Sequence, residues 1–552
     1  YRGHNEQTMA HTAIAYAKQM GRRRAMAVTS SIGPGATNMV TAAALAHVNR
    51  IPCLFIPGDV YGTRQPDPVL QQVEDFQDGT VSANDCFRPV SRYYDRITRP
   101  EHILTALPRA FATMTDPAEA GPVTIAFCQD IQAEAYDYPE SFFEPKVWRQ
   151  RRIRADAAEL AGLAQAVKAA KNPVSVAGGG GQYSGATEAL RAFVEAHQIP
   201  IVETQAGKSA LPWDHPMNFG PLGVTGGTPA NTLCAEADLV LGVGSRFQDF
   251  TTGSWSIFKN PDRRFFSMNV AAYDAAKRGA EPVQCDAGEG LGELTVALGT
   301  HKAPAPDHGL KDDWFANVDP LTATPTDTNA LPTDMQVVGA VQRAATPDTV
   351  VMGAAGTMPG ELHKLWKAGR PMSYHMEYGF SCMGYEIAGA IGIKMANPDA
   401  DVICMVGDGS YMMANSELAT AVMMGIKITL VITDNRGFGC INRLQRGTGG
   451  AEFNNLLDNA VHENPSNIDF AAHAGSMGAG TVHVQTIAEL EDALARAKDA
   501  PGPFVAVIDT DPYPSTEHGG SWWHVAVPEV SDRAEVNEKR AAFEAAYKDN
   551  AQ

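Results

Sequence analysis

The sequence predicts an α/β protein built from three doubly wound parallel-sheet domains. Short β-branched runs alternate with Ala-rich amphipathic segments in three successive blocks, the pattern of parallel strands joined by crossover helices. Several of the strand-like runs lead straight into glycine-rich turns, as strands do where such a sheet hands over to a helix. A stretch rich in Pro, Asp and Thr precedes the third block and reads as a linker. The length, 552 residues, admits roughly three or four domains.

The first block spans residues 1–135. "QTMAHTAIAYAKQMG" reads as a helix closed by Gly21, "AMAVTSS" as a strand, "GPGATN" as a tight turn and "MVTAAALAHVN" as a helix. "PCLFIPGD" and "PVTIAF" are further strands. The chain starts at Tyr1, and Glu6 leads directly into a helical pattern, so an upstream part of this domain is expected to be absent. The second block, 155–300, holds "PVSVAGGGGQYSGA", "IPIVET" and "ADLVLGVGSR", strands running into turns. Residues 301–333, with "APAPDHG" and "LTATPTDTNALPTD", form the linker; 334–514 is the third block, and 515–552 a C-terminal tail.

Composition narrows the function classes. Net charge is −19, from 44 basic and 63 acidic residues, which disfavours nucleic acid and anionic membranes as partners. Arg22-Arg23-Arg24 is a short basic run, and it reads as the polar end of a helix. Eight scattered cysteines without a C-x-x-C pair argue against a zinc site, an iron–sulfur site or a disulfide framework. They suit a reducing cytoplasm. No stretch is long and apolar enough to span a membrane.

The most informative stretch is "VGDGSYMMANSELATAVMMGIKITLVITDNRGFG", 406–439. "DVICMV" and "KITLVIT" read as strands and "SELATAVMMG" between them as a helix, with Ser416 as its N-cap. Two strands joined by a crossover helix run parallel, so Asp408 and Asn435, each just past a strand, lie on one edge of the sheet, where open α/β sheets bind ligands. One carboxylate and one amide oxygen suit Mg²⁺, which completes its shell with water and phosphate oxygens. Gly407 and Gly409 would let the backbone approach a phosphate. The expected ligand is a diphosphate held through Mg²⁺.

Gly-Asp-Gly followed, after a helix and a strand, by a pair ending in Asn resembles the signature of thiamine diphosphate enzymes. That resemblance implies that Asp408, Asn435 and the carbonyl of Gly437 bind Mg²⁺. Asp434 stands where many relatives have Asn, at a position not expected to bind the metal. "SCMGYEIAGAIG" resembles the segment whose Met wedges under the cofactor and bends it, here Met383. "YRGHNEQTMAHTAIAYAK" resembles the segment carrying the cofactor-activating glutamate, here Glu6, and "TSSIGPGATN" the turn after it. Gly33, Gly356 and Ser410 join Glu6, Met383, Gly407, Asp408, Gly409, Asn435 and Gly437 as expected cofactor contacts. The three blocks then become pyrimidine-binding, central Rossmann-like and diphosphate-binding domains.

"TRQPDPVLQQ", "ETQAGKS", "MEYGFSCMGYE", "NRGFGCINRLQ" and "SWWHVAVPEVS" together resemble the 3D-(3,5/4)-trihydroxycyclohexane-1,2-dione hydrolases of myo-inositol breakdown. This resemblance implies ring opening of a neutral, polyhydroxylated cyclic diketone with water, giving 5-deoxy-glucuronate, in a homo-oligomer with active sites between subunits. His4, Gln72, Glu377 and His524 are candidate substrate contacts, because a polyhydroxylated ring needs hydrogen-bonding groups. In the central block "GGGGQYSGA" invites a dinucleotide reading, but G-x-G-x-x-G fails at Tyr183 or Ser184 depending on register. A structural role for these glycines is favoured. The alternatives kept open are an acetohydroxyacid synthase-like or 2-keto acid decarboxylase thiamine enzyme, and a non-catalytic nucleotide-binding or assembly protein.

Overall fold

The computed structural model describes residues 1–327, 329–464 and 466–550. It contains three parallel sheets. The first has the order β1-β2-β4-β3, from β1 (Ala27–Ser30), β2 (Cys53–Asp59), β3 (Tyr93–Ile97) and β4 (Pro122–Cys128). The second runs β10-β9-β8-β5-β6-β7, from β5 (Pro173–Ala177), β6 (Ile201–Glu203), β7 (Asn218–Pro221), β8 (Leu239–Val243), β9 (Arg264–Asn269) and β10 (Glu281–Gln284). The third runs β12-β11-β13-β14-β16-β15, from β11 (Thr349–Gly353), β12 (Tyr374–Met376), β13 (Asp401–Gly407), β14 (Thr429–Asp434), β15 (Gly480–Val484) and β16 (Phe504–Asp509). Every pairing between these strands is parallel.

Burial explains the sequence pattern. Central strands are covered on both faces and read as continuous apolar runs: all five residues of β8 and of β11 are buried. Edge strands such as β15 and β10 are mixed. In the second sheet Leu239, Leu241 and Val243 of β8 pack with helices Ala157–Ala169, Thr187–His197 and Ala287–Leu298, while Val240 packs on the opposite face with Ala230 and Cys234 of helix Thr228–Glu236. That two-sided cover is the doubly wound arrangement.

The chain forms two compact units. One comprises Tyr1–Arg151, Gly379–Ala400 and Ala414–Ile426, and so contains the first sheet with helices Glu386–Ala396 and Glu417–Met423. The other comprises Arg152–Tyr378, Asp401–Met413 and the chain from Lys427 onward, with the second and third sheets. In the first unit, helix Glu6–Gln19 packs against helix Glu386–Ala396 at very short range, because a Cβ on Gly392 would stand 2.3 Å from the Thr12 carbonyl oxygen.

Several local readings change. "GPGATN" is not a bare turn: Gly33, at φ +61°, precedes a short helix Pro34–Asn38. Ser416 occupies the N-cap position of helix Glu417–Met423, but its side chain caps nothing. The stretch 301–333 is more than a linker. It carries helix Gly309–Val318, whose Trp314 and Val318 are buried with Val337, Val341 and Leu362 in the core of the third sheet. Thr328 of that stretch lies outside the described residues. The tail contains helix Ala534–Asn550; its residues 551 and 552 lie outside the described residues. Gly178 and Gly180 leave room for the turn after β8, since a Cβ on either would meet Gly244 at 2.4 and 2.8 Å. This supports their structural reading.

Candidate active site

The third sheet brings Asp408 and Asn435 to one edge. β13 and β14 are hydrogen-bonded neighbours, with Gly407 paired to Thr433. Asp408 therefore begins one residue past that rung and Asn435 two residues past it, both at the carboxyl ends of parallel strands. The order of the sheet adds a second argument. β12 lies on one side of β11 and β13 on the other, so the chain reverses direction across the sheet there, and the crevice outside such a reversal is where open α/β sheets take ligands. Gly356, at φ +94°, lies in the loop after β11, and a Cβ on it or on Gly407 would meet no atom within 4 Å.

The electrostatics of this edge ask for a cation. Asp408 is 6% exposed and Asn435 8% exposed. Oδ1 of each is buried and has no hydrogen-bond partner among the described residues, which is costly for an oxygen removed from water. Burial pushes the Asp408 carboxyl up to about 7, the neighbouring charge of Asp434 adds to the rise, and backbone N–H groups of Gly409, Gly437 and Asn435 oppose it. Two oxygen acceptors left without donors at one strand edge fit a hard divalent ion, which binds oxygen. Among the described residues no group of three His, Cys, Asp or Glu is placed to hold a metal. A metal here would rest on one carboxylate, one amide and a main-chain carbonyl.

The turns that present these donors are tightly constrained. Gly437 has φ +143°, and a Cβ there would lie 2.4 Å from the Asn455 carbonyl oxygen. Phe438 N donates to that carbonyl at 2.7 Å and Leu457 N to the Arg436 carbonyl at 2.9 Å, clamping the turn to residues 455–457. Asp434 is absorbed by the same turn, its Oδ1 accepting from Arg436 N at 2.9 Å. A Cβ on Gly409 would meet the Phe438 ring at 2.7 Å. Ser410 is buried in the helix Asp408–Met413.

The other unit holds Glu6 and Met383. Glu6 opens helix Glu6–Gln19, whose N-cap Asn5 accepts from Thr8 N at 3.2 Å. Its Oε2 accepts from Asn38 Nδ2 at 2.8 Å. Gly35 lies against Oε1, with a Cβ there at 3.3 Å. Gly33 sits under the Gln71 carbonyl, 2.2 Å from where its own Cβ would stand. Gln7 Nε2 approaches Cys382 Sγ at 3.9 Å, so the residues beside Glu6 and Met383 meet.

Of the candidate substrate contacts, His4 and Gln72 belong to the unit of the first sheet, and Glu377 and His524 to the other. His4 Nδ1 lies 2.8 Å from Thr420 Oγ1. The Gln72 amide is spent on its own loop, donating to Asp67 Oδ1 at 2.7 Å and accepting from Val69 N at 2.9 Å. His524 is exposed and sits among the rings of Trp522, Phe543 and Tyr547 at 5.2–5.7 Å. Glu377 is buried just past β12, on the same sheet edge as Asp408. The structure also brings forward residues that the sequence did not single out. Arg443 donates to the Pro512 carbonyl and the Thr357 hydroxyl, tying the loops after β16 and β11. Asn442 is fully buried with neither amide atom partnered among the described residues. Glu417 is fully buried beneath His4–Thr8.

The N-terminal thiamine pyrophosphate-binding domain of thiamine pyrophosphate enzymes matches residues 1–78, the central domain 160–294 and the C-terminal thiamine pyrophosphate-binding domain 354–508. The chain is 44% identical to a 3D-(3,5/4)-trihydroxycyclohexane-1,2-dione hydrolase of Bacillus cereus (strain AH820), over 99% of this chain and 89% of that protein. It is equally similar to the protein of that name from Bacillus anthracis (strain CDC 684 / NRRL 3495), and 43% identical to that of Bacillus thuringiensis (strain Al Hakam) over the same shares. Three matched domains, three parallel sheets and near full-length identity lead to one conclusion: the chain belongs to the thiamine pyrophosphate enzymes and, among them, to the family of proteins named 3D-(3,5/4)-trihydroxycyclohexane-1,2-dione hydrolase.

Proposed function

We propose that the chain is a thiamine diphosphate- and Mg²⁺-dependent hydrolase of carbon–carbon bonds, opening the ring of 3D-(3,5/4)-trihydroxycyclohexane-1,2-dione with water to give 5-deoxy-glucuronate. The observation that carries the cofactor half of this reading is the pair of buried, unpartnered oxygens on Asp408 and Asn435 at adjacent parallel strand ends. The shared name of the relatives carries the substrate.

When bound, thiamine diphosphate supplies a carbon nucleophile able to add to a carbonyl. The protein's part is to bind and orient. Asp408, Asn435 and the carbonyl of Gly437 would hold Mg²⁺, an ion that takes oxygen donors and would bring positive charge to a diphosphate. Gly356, Gly407 and Gly409 keep side chains away from the phosphates, and Ser410 follows them. Met383 would pack against the cofactor. Glu6 would hold a proton against the cofactor's pyrimidine, using the carboxylate that Asn38 orients. The working protein is a homo-oligomer with active sites between subunits, in a reducing cytoplasm that suits its eight scattered cysteines.

The test is an assay of the protein with thiamine diphosphate, Mg²⁺ and the cyclic diketone. The ring-opened acid is the expected product. A condensed product or CO₂ from a 2-keto acid panel would instead favour a synthase or decarboxylase, and no cofactor binding by calorimetry would favour a non-catalytic protein.

A further inference from the structure

Helix Glu417–Met423 presents a carboxylate with an unusual set of partners. Glu417 is 0% exposed, and among the described residues no Lys, Arg or His forms an ion pair with it. Its Oε1 accepts from His4 N at 2.9 Å, Asn5 N at 3.2 Å and Thr8 Oγ1 at 2.9 Å. Those three donors flank Glu6 on both sides. Gly3 lies over the same carboxylate, where a Cβ would stand 3.4 and 3.5 Å from its two oxygens. Thr420, one helical turn on, takes His4 Nδ1 at 2.8 Å.

This arrangement fixes the chain where Glu6 leaves it. His4 and Asn5 precede the first helical turn, so their N–H groups have no partner within the helix. A carboxylate accepting both makes charge-assisted bonds, stronger than neutral ones. Thr8 Oγ1 also lies 3.0 Å from the Asn5 carbonyl, so its single O–H is shared between that oxygen and Glu417, next to the N-cap. With the backbone held from one side by Glu417 and the side chain held by Asn38, Glu6 has one presentation. The second oxygen, Glu417 Oε2, is buried without a partner among the described residues. Burying a carboxylate oxygen unmatched is unfavourable for folding, which is understandable in a group retained for geometry.

We infer that Glu417 is a positioning residue: it does not touch the cofactor but sets the orientation of Glu6 through the His4–Asn5 backbone and Thr8. The inference rests on the proposed role of Glu6, so the test separates the two. Three variants, Glu6→Gln, Glu417→Ala and the double variant, are compared for turnover, for thiamine diphosphate affinity by calorimetry, and for the near-ultraviolet circular dichroism of the bound pyrimidine ring. Glu417→Ala is expected to lower kcat by about 10²-fold, the scale of a misplacement near 1 Å, to change cofactor Kd less than about threefold, and to alter the dichroism as Glu6→Gln does. In the Glu6→Gln background it is expected to add less than about twofold, because residues acting through one group are not additive. Full additivity, or turnover of Glu417→Ala within about threefold of wild type, overturns the inference while leaving Glu6 in place. Normal turnover and dichroism in Glu6→Gln overturn the Glu6 role and this inference with it. Should Glu417→Ala fail to fold, Glu417→Gln keeps an acceptor oxygen and the volume; it is expected to lower kcat by up to about tenfold, and no effect on turnover or dichroism there counts against the inference.

Discussion

Asp408, Glu6 and His11 show three fates of a buried or half-buried titratable side chain. Asp408 has one oxygen without a hydrogen-bond partner among the described residues, Glu6 has one oxygen held by Asn38, and His11 has the Gly384 backbone beside its ring, which weakly favours the charged form. His11 is fully buried, edge-on to the Tyr385 ring at 5.3 Å, and burial pushes it from the ordinary 6.5 down to about 4. A base held neutral in the fold destabilises it on protonation. The stability it contributes is therefore complete above pH 6.5 and declines as pH falls from 6.5 towards 4, by about 3 kcal/mol. His11→Leu should remove that part of the acid sensitivity, seen as a urea midpoint less dependent on pH between 6.5 and 4; an unchanged pH dependence would refute this. Asp408 and Asn435 were legible because each follows a strand in a short motif. Glu417 was not, because its partners lie 409 to 413 positions away in sequence, and nothing local distinguishes it from a first-turn acid. The ring neighbours of His524 were hidden for a related reason: a motif gives the neighbourhood of a side chain but not where its ring points.

Turns and helices show which glycines the site requires. At Gly437 the obstruction is backbone, the Asn455 carbonyl, and φ is +143°; at Gly409 it is the edge of the Phe438 ring, which can turn aside. Gly437→Ala should therefore cost about 1–3 kcal/mol from strain alone and weaken cofactor binding at least about tenfold, whereas Gly409→Ala should be the milder change on both counts. Equal effects in calorimetry and thermal melts would contradict this ranking. Most strands could be read because β-branched runs bounded by glycine are distinctive, and the parallel pairing of β13 with β14 followed from the helix between them. Helix Gly309–Val318 was hidden by its surroundings: Pro- and Asp-rich flanks outweigh a short amphipathic segment whose anchor, Trp314, finds its contacts in the third sheet's core. Trp314→Ala should cost about 3–5 kcal/mol; a loss under about 1 kcal/mol would restore the linker reading.

At the scale of the whole molecule, the order of three parallel sheets follows from the alternating pattern and agrees with the three matched domains. The partition into units does not, because helices Glu386–Ala396 and Glu417–Met423 lie in sequence among the strands of the third sheet yet belong to the unit of the first. Sequence blocks follow the chain, whereas compact units follow packing. In the proposed function, Asp408 and Asn435 grip a metal that grips a diphosphate. The direct measurement is calorimetric titration of metal-free protein with thiamine diphosphate, with and without Mg²⁺, for wild type, Asp408→Ala and Asn435→Ala. Tight binding is expected only for wild type with Mg²⁺, with a loss of about 10²-fold or more in either variant. Binding as tight without Mg²⁺, or unchanged in Asp408→Ala, would contradict it.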